Sequence, residues 1–446
     1  MKFKMSRYNV VTKHEGKVLV FNTYTLSLME LDELYYEDFI SKNNDFLNDI
    51  DKPMFEDLIE NGFIIKDDVD EISLLRNSYW DNKVNNPVLH ISVMTTLDCN
   101  FRCIYCFENR QSVEMTDNVQ KSVINFIKNE LSSRQYQAVH IDWYGGEPLL
   151  NMVCIERISS EIIAECKCKN ILYESSIMTN GYLLSLENCL KLKDLHVSHA
   201  QITIDGTKEI HDSRRPLESN KGTFDEIIKN IKLMKDYVNP FIRINVDKTN
   251  VQSIDELLLF FRNNGMDDLD ITIKGVVSSD ANPVEVTMID EKEISNLIIQ
   301  KIIKAKELGL KTSVLTAFEE SDSHFCIVDL DSQFIISPNG SVFKCGEAYD
   351  ESDPGFIGTI DEEGHVDIDL EKRLLWDKDP FVDEECLKCN VLPLCMGGCQ
   401  LKREVKKNGW CSPVLKNNLE ELIGLYYDEN VENGRLNEES EVTVHG

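Results

Sequence analysis

From about Leu89 to Leu310 the chain repeats one pattern: a short apolar run, then a longer stretch whose apolar residues fall three and four apart. The runs are "VLHISVMTT", "VHIDWYGG", "SSIMTNG", "AQITIDG", "FIRINVD" and "LDITIKGV". The stretches between them, such as "DNVQKSVINFIKNELSS" and "TFDEIIKNIKLMKDY", have helical spacing. Six strands alternating with helices predict a parallel α/β fold, because parallel strands need a long crossover and a helix supplies it. No G-x-G-x-x-G follows any of the runs, so the dinucleotide-binding fingerprint is missing.

Both flanks have a different texture. In "YNVVTKHEGKVLVFN" two strand-like runs surround His14-Glu15-Gly16, which predicts a hairpin. "TLSLMEL" alternates and adds a third strand, and "DELYYEDFISKN" and "KPMFEDLIENG" have helical spacing, the second ending at Gly62 as a C-cap. "NSYWDNKVNNP" reads as the linker out of this unit. After about Ser321, short strands surround "SPNG" and "DEEGH", and the last residues, "NEESEVTVHG", read as a frayed tail. The expected units are therefore residues 1–82, 86–312 and 320–446.

Charge narrows the partners. The chain carries 47 basic and 78 acidic residues, a net of −31, which argues against gripping nucleic acid. The acid is concentrated between Asp32 and Glu71, with fourteen carboxylates against three lysines. Such a face solubilises the protein or attracts a basic peptide. No apolar run reaches the roughly 18 residues a membrane helix needs, and the N-terminus turns polar too soon for a signal peptide. A soluble cytoplasmic protein with no membrane partner is expected. Fourteen cysteines in a reducing compartment point to metal binding or catalysis rather than disulfides.

The cysteine spacing carries the chemistry. "CNFRCIYC" places Cys99, Cys103 and Cys106 in one loop after the first strand, with no fourth cysteine nearby. Structural zinc wants four closed ligands. Three thiolates suit an iron–sulfur cluster and leave one iron open to a substrate or cofactor. Seven more thiols fall between Cys326 and Cys411: Cys326, Cys345, Cys386, Cys389, Cys395, Cys399 and Cys411. They exceed one cluster and fall one short of two complete ones. Cys154, Cys166, Cys168 and Cys189 lie in or beside the helical stretches and read as packing or surface thiols.

The C-x3-C-x-aromatic-C loop, with Tyr105 as the aromatic, resembles the signature of radical SAM enzymes. The resemblance implies a partial (β/α)6 barrel and a [4Fe-4S] cluster whose free iron chelates S-adenosylmethionine and cleaves it to a 5′-deoxyadenosyl radical. It also implies cofactor contacts from Gly145, Gly146, Glu147 and Pro148 at the second strand's exit, and from Thr179 and Asn180 at the third's. "DGTKEIHDSRRP" resembles the family's D-G-x4-H-D-x2-R stretch, which makes Arg215 a candidate for the methionine carboxylate, with a surface ion pair as the alternative.

The C-terminal thiols resemble the SPASM extension of these enzymes, which carries two auxiliary [4Fe-4S] clusters, for three clusters in all. Its interleaved pattern implies Cys326, Cys345 and Cys399 on the first auxiliary cluster and Cys386, Cys389, Cys395 and Cys411 on the second. Anaerobic sulfatase maturases carry a further cysteine six residues after the first of these, where this chain has Ser332. That leaves the first auxiliary cluster either open to a substrate thiolate or closed by water or an oxygen ligand such as Asp329 or Asp331. The N-terminal unit resembles the winged-helix-like peptide-recognition domain of peptide-modifying members, which binds a leader as an added strand.

Together these resemblances imply a maturase that forms a thioether in a ribosomal precursor peptide bearing a leader. An external electron donor of flavodoxin or ferredoxin type would be needed. Formylglycine formation on a sulfatase, carbon–carbon crosslinking, or a non-catalytic iron–sulfur carrier are the alternatives. The sequence names no catalytic acid or base.

Overall fold

The computed structural model describes residues 2–42, 44, 47, 50–108, 110–276, 287–312, 326–347, 350–377, 379–405 and 411–432, leaving out the side chains of 404 and 405. The expected tail at 437–446 lies outside the described residues.

The N-terminal unit has five strands: β1 (Phe3–Met5), β2 (Asn9–His14), β3 (Lys17–Asn22), β4 (Leu28–Leu31) and β5 (Ile64–Lys66). β2, β3 and β4 form an antiparallel sheet, and β1 pairs with β5. The β2–β3 hairpin turns at Glu15 and Gly16, both at positive φ, the geometry that matches the twist of flanking strands. One face of the sheet buries Val18, Val20, Met29 and Leu31 against Phe39, Leu58 and Phe63. The other face, with Val10, Leu19, Phe21 and Leu28, joins the main core.

The expected linker over 77–87 is instead the second half of a helix, Glu71–Asn85, which therefore spans the boundary placed at 82. Asp70 caps it through Ile72 N and Ser73 N. Its Leu75 and Tyr79 pack against Phe381, Leu392 and Met396 of the C-terminal region. The polar residues that suggested a loop are the helix's other face.

The repeating region forms six parallel strands: β6 (Val88–Met94), β7 (Ala138–Tyr144), β8 (Leu172–Thr179), β9 (Val197–Thr203), β10 (Asn239–Val246) and β11 (Asp270–Gly275). A two-residue β12 (Lys311–Thr312) pairs in parallel with β11. On β6, β7 and β10 one face carries Leu89, Ile91, Val93, Val139, Ile141, Trp143, Ile242 and Ile244, all in the core shared with the crossover helices. The opposite face carries His90, Ser92, His140, Asp142, Ser176, His199, Gln201 and Arg243, which line up across the strands.

Past β6 the sheet continues into the C-terminal region. β13 (Gln333–Ile336) runs parallel to β6, followed by antiparallel β14 (Ser341–Phe343), β15 (Phe356–Ile360) and β16 (Val366–Ile368), eleven strands in this sheet among the described residues. The helix Leu419–Glu432 then returns to the N-terminal unit, where Asp428 meets His14 at 2.9 Å and Lys17 donates to Tyr427. Among the described residues no helix is long and apolar enough to cross a membrane.

Candidate functional site

The three-cysteine loop leaves β6 and is held by backbone bonds. Arg102 N donates to Pro216 O at 2.8 Å and Ile104 N to Arg214 O at 3.0 Å. Burial pushes the Cys99 thiol up to about 12 and the Cys106 thiol to about 11, and it raises Cys103 in spite of the Arg215 guanidinium nearby. Thiols buried this way do not ionise by themselves; a metal that displaces the proton restores the thiolate.

The donor set fits a cluster better than zinc. Tetrahedral zinc, at about 2.3 Å from each sulfur, would draw its thiolates to roughly 4 Å from one another. Among the described residues the one group of three or more possible ligands all within 4.8 Å is His14, Glu15 and Asp428, and no cysteine belongs to it. Three thiols in one loop, with no fourth cysteine beside them, suit iron–sulfur ligation.

At the exit of β7, Gly145 has φ +108°, and a Cβ there would lie 2.4 Å from Thr96 O; one on Gly146 would lie 2.2 Å from Asp98 O. Gly146 N bonds Thr96 O and Glu147 N bonds Asp98 O. The close approach these glycines permit is therefore to the cysteine loop itself. Glu147 is fully buried and accepts from Thr179 Oγ1 at 2.7 Å, Asn180 N at 2.8 Å and Leu149 N at 3.1 Å. Burial raises its carboxyl above the ordinary range. Glu147 and Thr179 thus hold each other and join two strand exits. Pro148, buried in the turn that follows, accepts from Thr95 Oγ1. Asn180 reaches the cysteine loop, with Nδ2 on Asn100 Oδ1 at 2.7 Å and 4.0 Å from Cys99 Sγ.

Tyr105 turns to the other side of the sheet's mouth. Its hydroxyl donates to Asp205 and receives Arg215 Nη1 at 2.6 Å and Asn245 Nδ2 at 3.3 Å. Arg215 is 8% exposed and, among the described residues, in no ion pair, so the surface reading of it fails. Its neighbour Arg214 takes the buried pair instead, with Asp247 at 2.7 Å. His211 accepts from Asp205 N and meets Thr223, and burial drives its pKa well below the ordinary value. Asp205, Asn245 and Asp247 were not singled out from the sequence. Asp205 opens the D-G-x4-H-D stretch and could have been; the other two are isolated polar residues at the end of β10.

On the polar face of the sheet a cavity of about 550 Å³ is lined by Asp142, Ser176, Met178, His199, Gln201 and Phe241 among others. His140 Nε2 and Ser176 Oγ both bond Asp142 Oδ1.

The C-terminal thiols stand in two groups. Cys345 feels both Cys326 and Cys399, and Cys326 feels Cys399. Separately, Cys386 feels Cys395 and Cys411, and Cys395 feels Cys411 and Cys389. Burial raises Cys326 and Cys386 to about 11 and Cys345 to about 12. Beside the first group Lys344 is buried, donating to Leu330 O at 2.6 Å and Gln333 O at 3.1 Å, and burial lowers it to about 7. Cys154, Cys166 and Cys189 are buried in the helical layer and Cys168 is exposed.

The N-terminal unit abuts the second group. Arg7 donates to Leu387 O and Thr23 to Asn390 O, Arg76 pairs with Asp379 at 2.5 Å, and the Tyr79 and Phe381 rings stack edgewise at 5.9 Å.

Residues 93–261 match the profile of the Radical SAM superfamily. The chain is similar to the cysteine-type anaerobic sulfatase-maturating enzyme of Clostridium novyi (strain NT), 26% identical over 69% of this chain and 86% of that one. It is also similar to the radical SAM cyclopropyl synthase TigE of Paramaledivibacter caminithermalis, 25% identical over 89% of each. Among solved structures, native anSMEcpe with bound AdoMet and Cp18Cys peptide aligns with a TM-score of 0.59 at 20% identity, covering 77% of this chain and 100% of that one. That likeness is one of fold.

Proposed function

We propose that this radical SAM enzyme, whose superfamily implies S-adenosylmethionine and a [4Fe-4S] cluster, forms a thioether in a ribosomally made precursor peptide. The observation that supports the reading is the joint between the N-terminal unit and the loop of Cys386 to Cys395, which would connect a leader-binding unit to an auxiliary cluster. β4 is the outer strand of its sheet, with no further strand on it among the described residues, so a leader can add there by backbone hydrogen bonds. The bound peptide in the solved relative supports a peptide substrate.

Cys99, Cys103 and Cys106 would hold the first cluster, and two auxiliary clusters would sit on Cys326, Cys345 and Cys399 and on Cys386, Cys389, Cys395 and Cys411. Bound together, the first cluster and S-adenosylmethionine supply a 5′-deoxyadenosyl radical. The chain's own residues do the rest. Gly145 to Pro148, Thr179 and Asn180 shape the cofactor's seat beside the thiols. Arg215, held by Tyr105, offers a buried cation with a guanidinium Nε that has no partner, suited to a carboxylate. The polar face around Asp142 and His199 receives the peptide.

The peptide loses one hydrogen atom from carbon to the deoxyadenosyl radical and one proton from a cysteine thiol, gains a carbon–sulfur bond, and gives up one electron, which an auxiliary cluster would accept. A flavodoxin- or ferredoxin-type donor supplies the priming electron, and the reaction runs in the cytoplasm.

The test is anaerobic incubation of the reduced protein with S-adenosylmethionine and the precursor encoded beside it. A product lighter by two hydrogens whose cysteine resists alkylation is expected. A product that has lost its sulfur would make the chain a sulfatase maturase. The similarity to TigE over 89% of both chains favours a second reading, carbon–carbon bond formation. That reading predicts the same mass loss with a thiol that still alkylates.

A further inference from the structure

Two of the cysteine hooks share one turn. In Cys103-Ile104-Tyr105-Cys106 the second cysteine's amide donates to the first one's carbonyl at 3.2 Å, and in Cys386-Leu387-Lys388-Cys389 at 3.0 Å. A turn of this kind carries two side chains, three residues apart, to the same side of the chain. Cys326-Ile327-Val328-Asp329 makes the same turn, with Asp329 N on Cys326 O at 2.9 Å. Asp329 therefore stands where the other two hooks have their second thiolate.

The surroundings separate Asp329 from its rival. Asp331 is ion-paired to Lys83 at 3.0 Å and Arg373 at 2.6 Å, so its charge is already answered. Asp329 is 2% exposed, and its backbone carbonyl accepts from Lys83 Nζ at 2.9 Å. Its carboxylate receives Gln400 Nε2, and Gln400 directly follows Cys399. Asp329 thus shares a turn with Cys326, and its carboxylate bonds the residue next to Cys399. Ser332 Oγ, both amide ends of Gln333 and Gln400 Oε1 are buried without a partner. Buried polar atoms are rarely left unpaired, and Gln400 Oε1, beside Cys399 in sequence, is one that a bound non-protein group would satisfy.

We propose that Asp329 is the fourth protein ligand of the first auxiliary cluster, binding iron through a carboxylate oxygen, and that Gln400 orients it. This rests on the reading that Cys326, Cys345 and Cys399 hold a cluster. A ligand's orienting partner is ordinarily a neighbouring hydrogen-bond donor, the role Gln400 fills. Ser332 is no substitute, because a buried neutral hydroxyl does not match the charge a thiolate would bring.

The experiment uses the full chain, prepared anaerobically with iron-57, in a Cys99→Ala, Cys103→Ala, Cys106→Ala parent that leaves only the auxiliary clusters. Mössbauer spectra of the parent should contain one iron site unlike the thiolate-held ones. Asp329→Cys should keep the iron content and lose that distinct site. Asp329→Ala should change it and make it respond to added small thiol. A parent spectrum in which all irons are alike overturns the proposal without any variant, as does a distinct site unchanged in Asp329→Ala. A Cys345→Ala control that loses no iron would instead overturn the cluster reading on which the proposal rests.

Discussion

Cys99, Cys103 and Cys106 come from eight consecutive residues, whereas the seven C-terminal thiols are gathered from Cys326 to Cys411. The first loop is held by its immediate surroundings: backbone bonds to residues 214 and 216, and two glycines that let the exit of β7 lie against it. The second region depends on distant partners. Tyr8, Leu75 and Tyr79 from the N-terminal unit pack against Phe381, Leu392 and Met396, and Lys83 bonds Asp329 O and Asp331. The difference teaches where each site is vulnerable. The first fails when its own loop is disturbed, and the second fails when an element hundreds of residues away in sequence is disturbed.

Four experiments sharpen or break that contrast. Replacing Cys99, Cys103 and Cys106 with Ala should abolish 5′-deoxyadenosine formation, a loss of at least about a hundredfold, because no substitute thiol lies in the loop. Replacing Cys386 with Ala should leave deoxyadenosine formation within about twofold and cut peptide product by more than about tenfold. Full product from that variant would remove the second auxiliary site from the reaction.

Gly146→Ala should cost roughly tenfold or more in deoxyadenosine formation, since the new Cβ would stand 2.2 Å from Asp98 O, a backbone atom of the loop. Tyr79→Ala removes a nearly fully buried ring and should destabilise the protein by about 3–5 kcal/mol, read as a lower thermal midpoint. It should also loosen iron at the Cys386 group while sparing the first loop. If iron is lost equally from both regions, the contrast between them is wrong.

The smallest effect concerns pH. His211 is buried and neutral, with its folded pKa depressed by burial and by Arg215 and Arg214. The unfolded chain therefore binds the proton more readily. The stability held in the neutral form is complete above the unfolded value of about 6.5 and falls as pH drops below it. Denaturant midpoints measured between pH 7.5 and 5.5 should fall, and His211→Gln should flatten that fall.

Much of this was legible in the sequence because it is local. The six strands carry their own apolar alternation, and the hairpin at Glu15-Gly16 carries its own turn chemistry. The linker expected over 77–87 was misread for the complementary reason. Asn77, Asn82, Asn85 and Asn86 weaken the helical signal, while the contacts that stabilise the helix, from Leu75 and Tyr79 to Phe381 and Met396, come from the far end of the chain. The G-G-E-P turn was recognisable from the resemblance, but the close approach of its glycines to the cysteine loop's own carbonyls was not.

Arg215 could be named from its motif alone. Its burial, and its bond to Tyr105 from a loop more than a hundred residues earlier, could not. By itself the sequence determined the parallel α/β repeat, the open three-thiol loop and the surplus of C-terminal thiols, since residue type, spacing and period are properties of short segments. Only the tertiary structure decided that Asp331 near Cys326 is ion-paired, that Arg215 is buried, and that the N-terminal unit rests on the Cys386 loop. Those are facts of distance and burial between remote segments, and they exist only once the chain has packed.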